Sequence, residues 1–566
     1  MNKNTNAHFA ELPSVDIQRS VMDRSHSHKF SGNVGDLIPI YWDEVLPGDT
    51  ISIETSKVIR FQTMLSPMMD NITAEVHAWF VPNRLIYDHF VNFMGQNDSS
   101  AWTQQVEYTI PQLKVLPSDA ENPNNNRVGT ILDYLGFPVE NQTGEVEVSA
   151  LPVRAYCKIV EDWWRDENLT DPINIYTGDA TVTATKEDSY IDDIPHGGLP
   201  FKAAKYHDYF TSCLPSPQKG EPVSIDIPVD GFLPVVSRSE NAVKLGDPAY
   251  PTIFGGVSEV GDDRVWTYIS NPVGSQANPE LYFANYNTNA QFQAQPGNPI
   301  VPSNLWASMN GISASFTVND LRYAFQLQKL LERDARGGTR YIEVIKSHFG
   351  ITSPDARLQR SEYLGGNRFG IVVDQVANTA QSEQDFLGDL GAFSVTSDVH
   401  EDVHFSATEH GILMLTMVIR YDHTYSQGLQ KKWTRNDRFS YFWPVFSSIG
   451  EQPVLKKELF LTGESTDDDV FGYNEAWAEY RFSPNMVSGE MRPYVSNGLY
   501  SWTLADDYES VPSLSDEWIR ETEKNVDRVL AVTSENAHQF WCDFYFKEKW
   551  TRPMPVYSVP GLIDHF

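Results

Sequence analysis

The sequence is poor in cysteine, with only Cys157, Cys213 and Cys542 in 566 residues. They are far apart and odd in number, so neither a disulfide framework nor a CxxC metal cluster can be written. A membrane span needs roughly 18 consecutive apolar residues, and the best run, 411–419, is about half that length. Residues 1–13 carry no apolar stretch of the kind a secretory signal requires. We therefore expect a protein that folds in a reducing cytoplasm without membrane insertion.

Positive charge is also scarce, since 43 Lys and Arg face 76 Asp and Glu and leave a net charge of −33. A surface of that average sign repels phosphates, which argues against a free nucleic-acid-binding domain. The imbalance is uneven, however. Residues 329–368 hold eight basic and five acidic residues, 420–457 hold seven and three, and 464–535 hold five and sixteen. This predicts a two-sided molecule in which any contact with DNA is local.

The nucleotide-binding patterns GxGxxG and GxxxxGK[ST] and the nucleophile motif GxSxG are absent. One enzyme motif is present: His400, Glu401 and His404 form HExxH, and His410 stands where a third zinc ligand would lie. A zinc metallopeptidase needs both histidines on one face of a helix. The surrounding text is rich in Val and Thr and favours a strand, and Ala407 replaces the glycine of the extended motif. The zinc metallopeptidase stays an alternative hypothesis.

Hydrophobic alternation predicts strands at 49–63 and 71–81 and again over 394–419, with a further strand-like segment around 543–546. A short helix is expected within 84–94. The clearest helix is predicted for 317–336, where Thr317 and Asp320 form a capping pair, an apolar stripe follows, and Gly337 and Gly338 end it. The whole reads as a β framework with helical and loop excursions.

Basic and aromatic residues interleave at one place that suits single-stranded nucleic acid: Lys431, Lys432, Trp433, Arg435 and Arg438. Cations of this kind hold phosphates, and aromatic rings stack on bases. The alternative is an exposed turn in which Trp433 packs on aliphatic stems.

The composition shifts to Asn, Gln, Pro, Gly, Ser and Tyr over 215–309. We interpret this segment as a large, ordered, loop-rich insertion rather than a disordered linker, because it keeps its aromatic residues. Those that could form a binding surface are Trp266, Tyr268, Tyr282, Phe283 and Tyr286. Residues 218–310 hold nine acidic and four basic residues, which suits an outer surface.

Several blocks in order along the chain resemble the major capsid protein of the gokushoviruses, small single-stranded DNA bacteriophages of the Microviridae. They include GDLIPIYWDEVLPGDT (35–50), MDNITAEVHAWFVPNRL (69–85), LRYAFQLQKLLERDARGGTRYIEVIKSHFG (321–350), PDARLQRSEYLGG (354–366), GEQPVLKKELF (450–460), FGYNEAWAEYRF (471–482) and MPVYSVPGLIDHF (554–566). The resemblance implies an all-β fold, a viral eight-stranded jelly-roll β-sandwich with long loop and helical insertions. In these terms, residues 1–214 are an N-terminal arm and the first part of the jelly roll. Residues 215–309 form a surface protrusion at a three-fold axis, and 310–566 are the remainder with a C-terminal arm.

The function that the resemblance implies is self-assembly into a T=1 icosahedral shell around a circular single-stranded DNA genome. No catalytic residue and no cofactor are expected, although divalent cations could help to neutralise the genome. The implied partners are further copies of the chain, the genome, an internal scaffolding protein, a pilot protein, a small basic DNA-binding protein and a host cell-surface receptor. The insertion is the predicted host-attachment protrusion, and the protein is expected in the virion after assembly in the bacterial cytoplasm. An acidic glycan-binding protein is the other alternative.

Overall fold

The fold is described from a computed structural model. It describes residues 18–96, 107–117, 128–139, 142–186, 190–224, 317–338, 340–377, 379, 388 and 390–557, together with the backbone of five short strands between 235 and 307. The chain divides into two compact units, one of Met1–Glu221 with Leu330–Phe566 and one of Pro222–Lys329.

Nine strands form the two large sheets of the first unit. They are β1 (Ser20–Asp23), β2 (His26–Gly32), β3 (Ile38–Val45), β4 (Thr50–Phe61), β5 (Ile72–Pro82), β6 (Glu362–Gly370), β7 (Val395–Ser406), β8 (Gly411–Tyr421) and β9 (Phe540–Arg552). In sheet one, β1 and β2 both pair with β9, and β4 lies between β9 and β7. Sheet two has the order β6-β5-β8-β3. Every pairing within these sheets is antiparallel.

Alternation explains how sheet one buries a single face. In β9, the side chains from Phe540 to Trp550 are alternately buried and exposed, as a strand that is covered on one side requires. The predicted strands at 49–63 and around 543–546 are thereby confirmed. The inward residues of β4 and β9, such as Ile53 and Phe544, form one hydrophobic cluster with Val76 and Leu415 of sheet two. The main core therefore lies between the two sheets.

Sheet two is buried on both faces. Along β8 all residues but Arg420 are buried, and Ile412, Met414 and Val418 pack into a second cluster on the side away from sheet one. Helix α1 (Leu151–Ile159) covers that side, with Tyr156 fully buried and its hydroxyl donating to the carbonyl of Leu37 at 2.7 Å. A continuous apolar strand is what burial on both faces demands.

The predicted helix at 317–336 is confirmed as α2 (Val318–Gly337). The Thr317 hydroxyl donates to Asp320 Oδ2 at 2.7 Å and accepts from the Asp320 backbone N–H at 3.1 Å, which is the predicted capping pair. Helix α3 (Tyr341–Phe349) follows. In the part of the chain that the structure describes, no helix is long and apolar enough to cross a membrane.

The remaining elements are short. The helices are Phe90–Phe93, within the predicted 84–94, and Ile131–Tyr134, Asp355–Leu358, Lys456–Leu459, Asp516–Ile519 and Lys524–Asp527. The small strands of the first unit are Gln112–Val115, Val146–Ser149, Val182–Thr183, Asp374–Ala377, Leu390–Phe393, Glu451–Leu455 and Val470–Glu475. The second unit contains Val235–Ser237, Phe254–Gly255, Val265–Tyr268, Phe283–Asn285 and Leu305–Ala307.

Candidate functional site

A segment rich in aromatic and basic residues follows β8 and contains the residues predicted to contact nucleic acid. Three single 3₁₀ turns shape it: Lys431–Trp433, Arg438–Ser440 and Pro444–Phe446. Asp437 caps the second turn, since its Oδ1 accepts from the backbone N–H of Ser440 at 2.7 Å. None of the three turns contains a buried residue. Several side chains of this segment are therefore exposed to solvent.

Three of the five residues predicted to contact nucleic acid have side chains exposed at the surface. Lys432 and Arg438 are exposed, and Trp433 is 74% exposed. The Arg438 guanidinium carbon lies 4.6 Å from the centre of the Phe439 ring, and both residues are exposed. These three residues retain the chemistry that phosphate contact and base stacking require.

The other two predicted residues are engaged within the chain. Arg435 forms an ion pair with Glu479 at 3.1 Å and lies over the Tyr480 ring at 4.2 Å from its centre. Lys431 Nζ donates to the backbone carbonyl of Pro453 at 3.3 Å. These contacts tie the segment to the following part of the chain, so Arg435 acts first as an anchor.

Exposed apolar side chains gather beside the cations. We call Phe439, Tyr441, Phe442, Trp443, Val445 and Tyr480 the aromatic surface, and each of them is between 44% and 87% exposed. Phe442 joins the two parts of the chain, because its ring centre lies 6.2 Å from that of Tyr480 and its backbone N–H donates to the Tyr480 hydroxyl at 3.3 Å. Isolated exposed apolar residues are ordinary, but a contiguous group marks an interaction site.

The outer face of sheet one is a second exposed surface. Trp541 and Tyr545 of β9 are 47% and 46% exposed on it. The face carries charges of both signs that pair across strands, with Lys29 Nζ 3.1 Å from Asp543 and Lys547 Nζ 3.1 Å from Glu54. Exposed cross-strand pairs of this kind contribute little stability.

The zinc-site hypothesis is wrong in its geometry. His400, Glu401 and His404 lie on β7, which is paired with β4 throughout, and all three are exposed. Four residues along a strand span about 13 Å, so the two histidines cannot share a metal ion as they do on one helical face. The strand that the Val- and Thr-rich sequence around the motif predicted is confirmed as β7.

His410 does not complete a metal site either. Its ring packs edge-on against Phe90, with the ring centres 6.0 Å apart, and its backbone carbonyl accepts from the N–H of Asn83. Among the described residues, no group of three His, Cys, Asp or Glu side chains is arranged to hold a metal ion.

The β7 motif instead supplies a structural residue that the sequence did not reveal. A β-bulge between Glu401 and Val403 turns Asp402 into the space between the sheets. There Asp402 meets Lys57 of β4, whose Nζ lies 3.1 Å from Asp402 Oδ2 and 3.3 Å from Asp398 Oδ2. Spacing alone could not predict this pair, because the bulge reverses the side-chain alternation.

A second buried charge cluster surrounds His423. Its Nδ1 lies 2.9 Å from Asp506 Oδ1 and its Nε2 3.1 Å from Glu521 Oε2. Burial alone would lower the pKa of His423, but the two carboxylates outweigh it and raise the pKa to about 9. Asn525 donates to Asp506 at 2.6 Å and completes the network. The positively charged imidazolium of His423 thus lies between two buried carboxylates and compensates their negative charge.

The residues predicted for host attachment, Trp266, Tyr268, Tyr282, Phe283 and Tyr286, have side chains that lie outside the described residues. The aromatic surface, by contrast, was not predicted as a unit. The text FSYFWPVF (439–446) carries a signal for it, because five aromatic residues in eight match neither a helical stripe nor strand alternation.

The described part of the chain thus combines a sheet covered on both faces, a sheet with an exposed outer face and an exposed aromatic surface, which are features of a protein that contacts other molecules. The chain belongs to the family described as capsid protein (F protein), whose model matches residues 10–562.

Three relatives agree along almost the entire chain. The capsid protein VP1 of Spiroplasma virus 4 is 37% identical over 559 residues, covering 98% of this chain and 97% of that protein. The capsid protein VP1 of Bdellovibrio phage phiMH2K is 36% identical over 564 residues, with 99% and 98% covered. The capsid protein VP1 of Chlamydia phage 1 is 36% identical over 591 residues, with 98% and 97% covered.

The protein is accordingly a major capsid protein of a Microviridae phage and part of the virion. It is a structural protein and not an enzyme. The resemblance identified from the sequence blocks is confirmed.

Proposed function

We propose that the first unit is a viral jelly roll and that its copies close into a T=1 icosahedral shell around a circular single-stranded DNA genome. The observation that carries this proposal is strand order. If β1 and β2 are counted together as strand 1 and β3 to β9 as strands 2 to 8, the two sheets contain four strands each. In this numbering, sheet one has the order 1-8-3-6 and sheet two the order 2-7-4-5. An eight-stranded double sheet of this kind is the architecture of many viral capsid domains.

The surfaces of the first unit support the same proposal. The face of sheet two away from the core is covered by α1 and its neighbours, whereas the outer face of sheet one and the aromatic surface are exposed. A shell subunit needs such exposed areas, because each copy must bury part of its surface against several others.

Genome contact is proposed for Lys431, Lys432, Trp433, Arg435 and Arg438, with Lys432, Trp433 and Arg438 as the members whose head groups are free. The net charge of −33 means that the chain alone cannot neutralise a genome. A small basic DNA-binding protein, supplemented by divalent cations, would supply the missing positive charge. An internal scaffolding protein and a pilot protein are the other proposed partners.

Host attachment is proposed for the insertion at 215–309, as a protrusion at each three-fold axis. Its aromatic residues Trp266, Tyr268, Tyr282, Phe283 and Tyr286 would face a cell-surface receptor. Phage with residues 218–298 deleted should form particles that no longer adsorb to cells. Unchanged adsorption of the deleted phage would contradict the attachment role without affecting the shell proposal.

Electron cryomicroscopy of particles produced from the phage genome tests the shell proposal. We expect uniform shells of 60 copies, the number that defines a T=1 shell, with protrusions only at the three-fold axes and DNA inside. Chains that stay single in sedimentation, although the complete set of phage proteins is expressed, would refute it. Shells of another triangulation number would refute the T=1 assignment alone.

A further inference from the structure

We propose that the aromatic surface is a docking site for a second copy of this chain, and that the contact is heterologous, so that it joins subunits head to tail in a ring. This inference rests on the proposed function and names the surface that performs it. Its evidence is the exposed area, the local charge and the rigidity of the surface.

The exposed area is large enough for a subunit contact. The five aromatic side chains of the aromatic surface together expose on the order of 500 Å², from their exposed fractions and an area of roughly 150 to 250 Å² for each, and the exposed Val445 adds to this area. The largest apolar patch on a typical monomer is about 300 to 600 Å². A standard interface buries about 800 Å² on each partner. The surface is therefore large enough to supply most of one side of such an interface.

The surface is held in place, as a docking site must be. Trp443 Nε1 donates to the carbonyl of Arg438 at 2.7 Å, and Trp477 Nε1 donates to the carbonyl of Phe446 at 2.8 Å. The Phe442 ring also packs edge-on against Trp477, with 5.7 Å between ring centres. Because these contacts fix the loop before any partner arrives, little conformational entropy is lost on docking.

Local charge identifies the partner. Residues 427–450 contain four basic residues and one acidic residue, in a chain whose net charge is −33. A second copy repels the first over most of its surface, and repulsion is weakest where this positive segment meets an acidic region of the neighbour. The stretch 464–535, with sixteen acidic and five basic residues, offers such regions.

The same charge argues against a two-fold contact. If the aromatic surface met itself across a two-fold axis, Lys432 and Arg438 of one copy would face the same cations of the other. A heterologous contact avoids this opposition of like charges, and heterologous contacts form rings where the rotation between copies closes. In an icosahedral shell, such rings surround the three-fold or five-fold axes.

Hydroxyl-radical footprinting of purified particles and of subunits dissociated from them tests the site. We expect Tyr441 and Trp443 to be labelled in subunits and at least fivefold less in particles, including particles that lack DNA. Trp550, which is fully buried, should stay unlabelled in both states and so reports that the dissociated subunit is still folded. Equal labelling in subunits and particles would overturn the inference. Protection that vanishes in DNA-free particles would assign the surface to the genome instead and would also overturn it.

A matched pair of substitutions tests the charge argument. Val445 is 87% exposed, so Val445→Glu and Val445→Lys should both leave the melting temperature of the subunit unchanged. In phage genomes carrying them, we expect Val445→Glu to lower particle yield at least tenfold and Val445→Lys to lower it less. Equal yields for both variants and wild type would refute docking at this site. Absence of particles from wild type would refute the proposed function itself, which separates the two failures.

Discussion

Lys57 Nζ lies 3.1 Å from Asp402 Oδ2 between the two sheets, and both side chains are fully buried. Asp398 and His400 extend the contact, since Asp398 approaches Lys57 and His400 Nδ1 lies 3.0 Å from Asp402 Oδ1. A buried ion pair contributes little net stability compared with apolar residues, but the loss of one partner leaves an uncompensated charge.

Lys57→Met should therefore lower the free energy of unfolding of the subunit by about 3 to 5 kcal/mol. Denaturant titration of the dissociated subunit measures it. Replacing both partners, Lys57→Met with Asp402→Leu, should restore most of the loss. Lys547→Met serves as the control, because its pair with Glu54 is exposed and should contribute under about 1 kcal/mol. A loss for Lys57→Met no larger than for this control would contradict the burial argument.

The substitution His404→Ala in the HExxH motif should leave the metal content and the yield of particles unchanged. In His404→Ala, an exposed side chain on a strand is removed, and the pairing of β7 with β4 does not depend on it. Elemental analysis of purified particles checks the prediction. Stoichiometric zinc in the wild type that disappears in His404→Ala would show that the strand geometry does not describe the protein.

Stability should fall as the pH rises from about 6.5 to about 9. The pKa of His423 is raised in the folded chain to about 9, so its contribution is fully present below the unfolded value and is lost as the pH passes the folded value. The loss amounts to about 3 kcal/mol from the size of the shift. Unfolding measured across this range on wild type and His423→Gln checks it. The variant should be less stable at pH 6 and should lack this slope, and an identical slope in both chains would exclude His423 as its cause.

Lys432→Ala and Arg438→Ala should each weaken binding of single-stranded DNA and reduce the slope of log affinity against log salt by about 0.7. Fluorescence titration of labelled oligonucleotides at several salt concentrations measures this. Arg435→Ala is the comparison, because its loss removes the ion pair with Glu479 and should lower the melting temperature as well. Salt slopes that none of the three substitutions changes would remove the segment from the genome contact.

Helices and strands whose ends are marked by capping residues, glycines or hydrophobic alternation could be predicted from the sequence. The helix predicted at 317–336 is observed at Val318–Gly337. It could be predicted because the residues that begin and end it, Thr317 with Asp320 and the glycines 337 and 338, are neighbours in the sequence. The order of strands in the sheets could not be predicted from alternation, which is the same whichever neighbour a strand pairs with. Relatedness to a known family supplied the expectation of a jelly roll instead.

The functional residues also divide into those that a local pattern reveals and those that depend on contacts between distant parts of the chain. The cations of 431–438 were found from composition, but the commitment of Arg435 to Glu479 and Tyr480 depends on a part of the chain more than forty residues away. His423 was not singled out from the sequence, because its partners Asp506 and Glu521 are 83 and 98 residues away. Pairs of this kind become visible only when the fold brings their strands and loops together.

The pairing of β2 with β9 joins residues that are far apart in the sequence. His26 lies opposite Phe546, so sheet one lacks the strand between β2 and β4 until residues 540–552 have been synthesised. Contacts between such distant residues form slowly, because a long loop must close first. Until β9 arrives, the inward faces of β2 and β4 stay open to the cell. We therefore expect the two-sheet core of each copy to close only after residues 540–552 have been synthesised and paired.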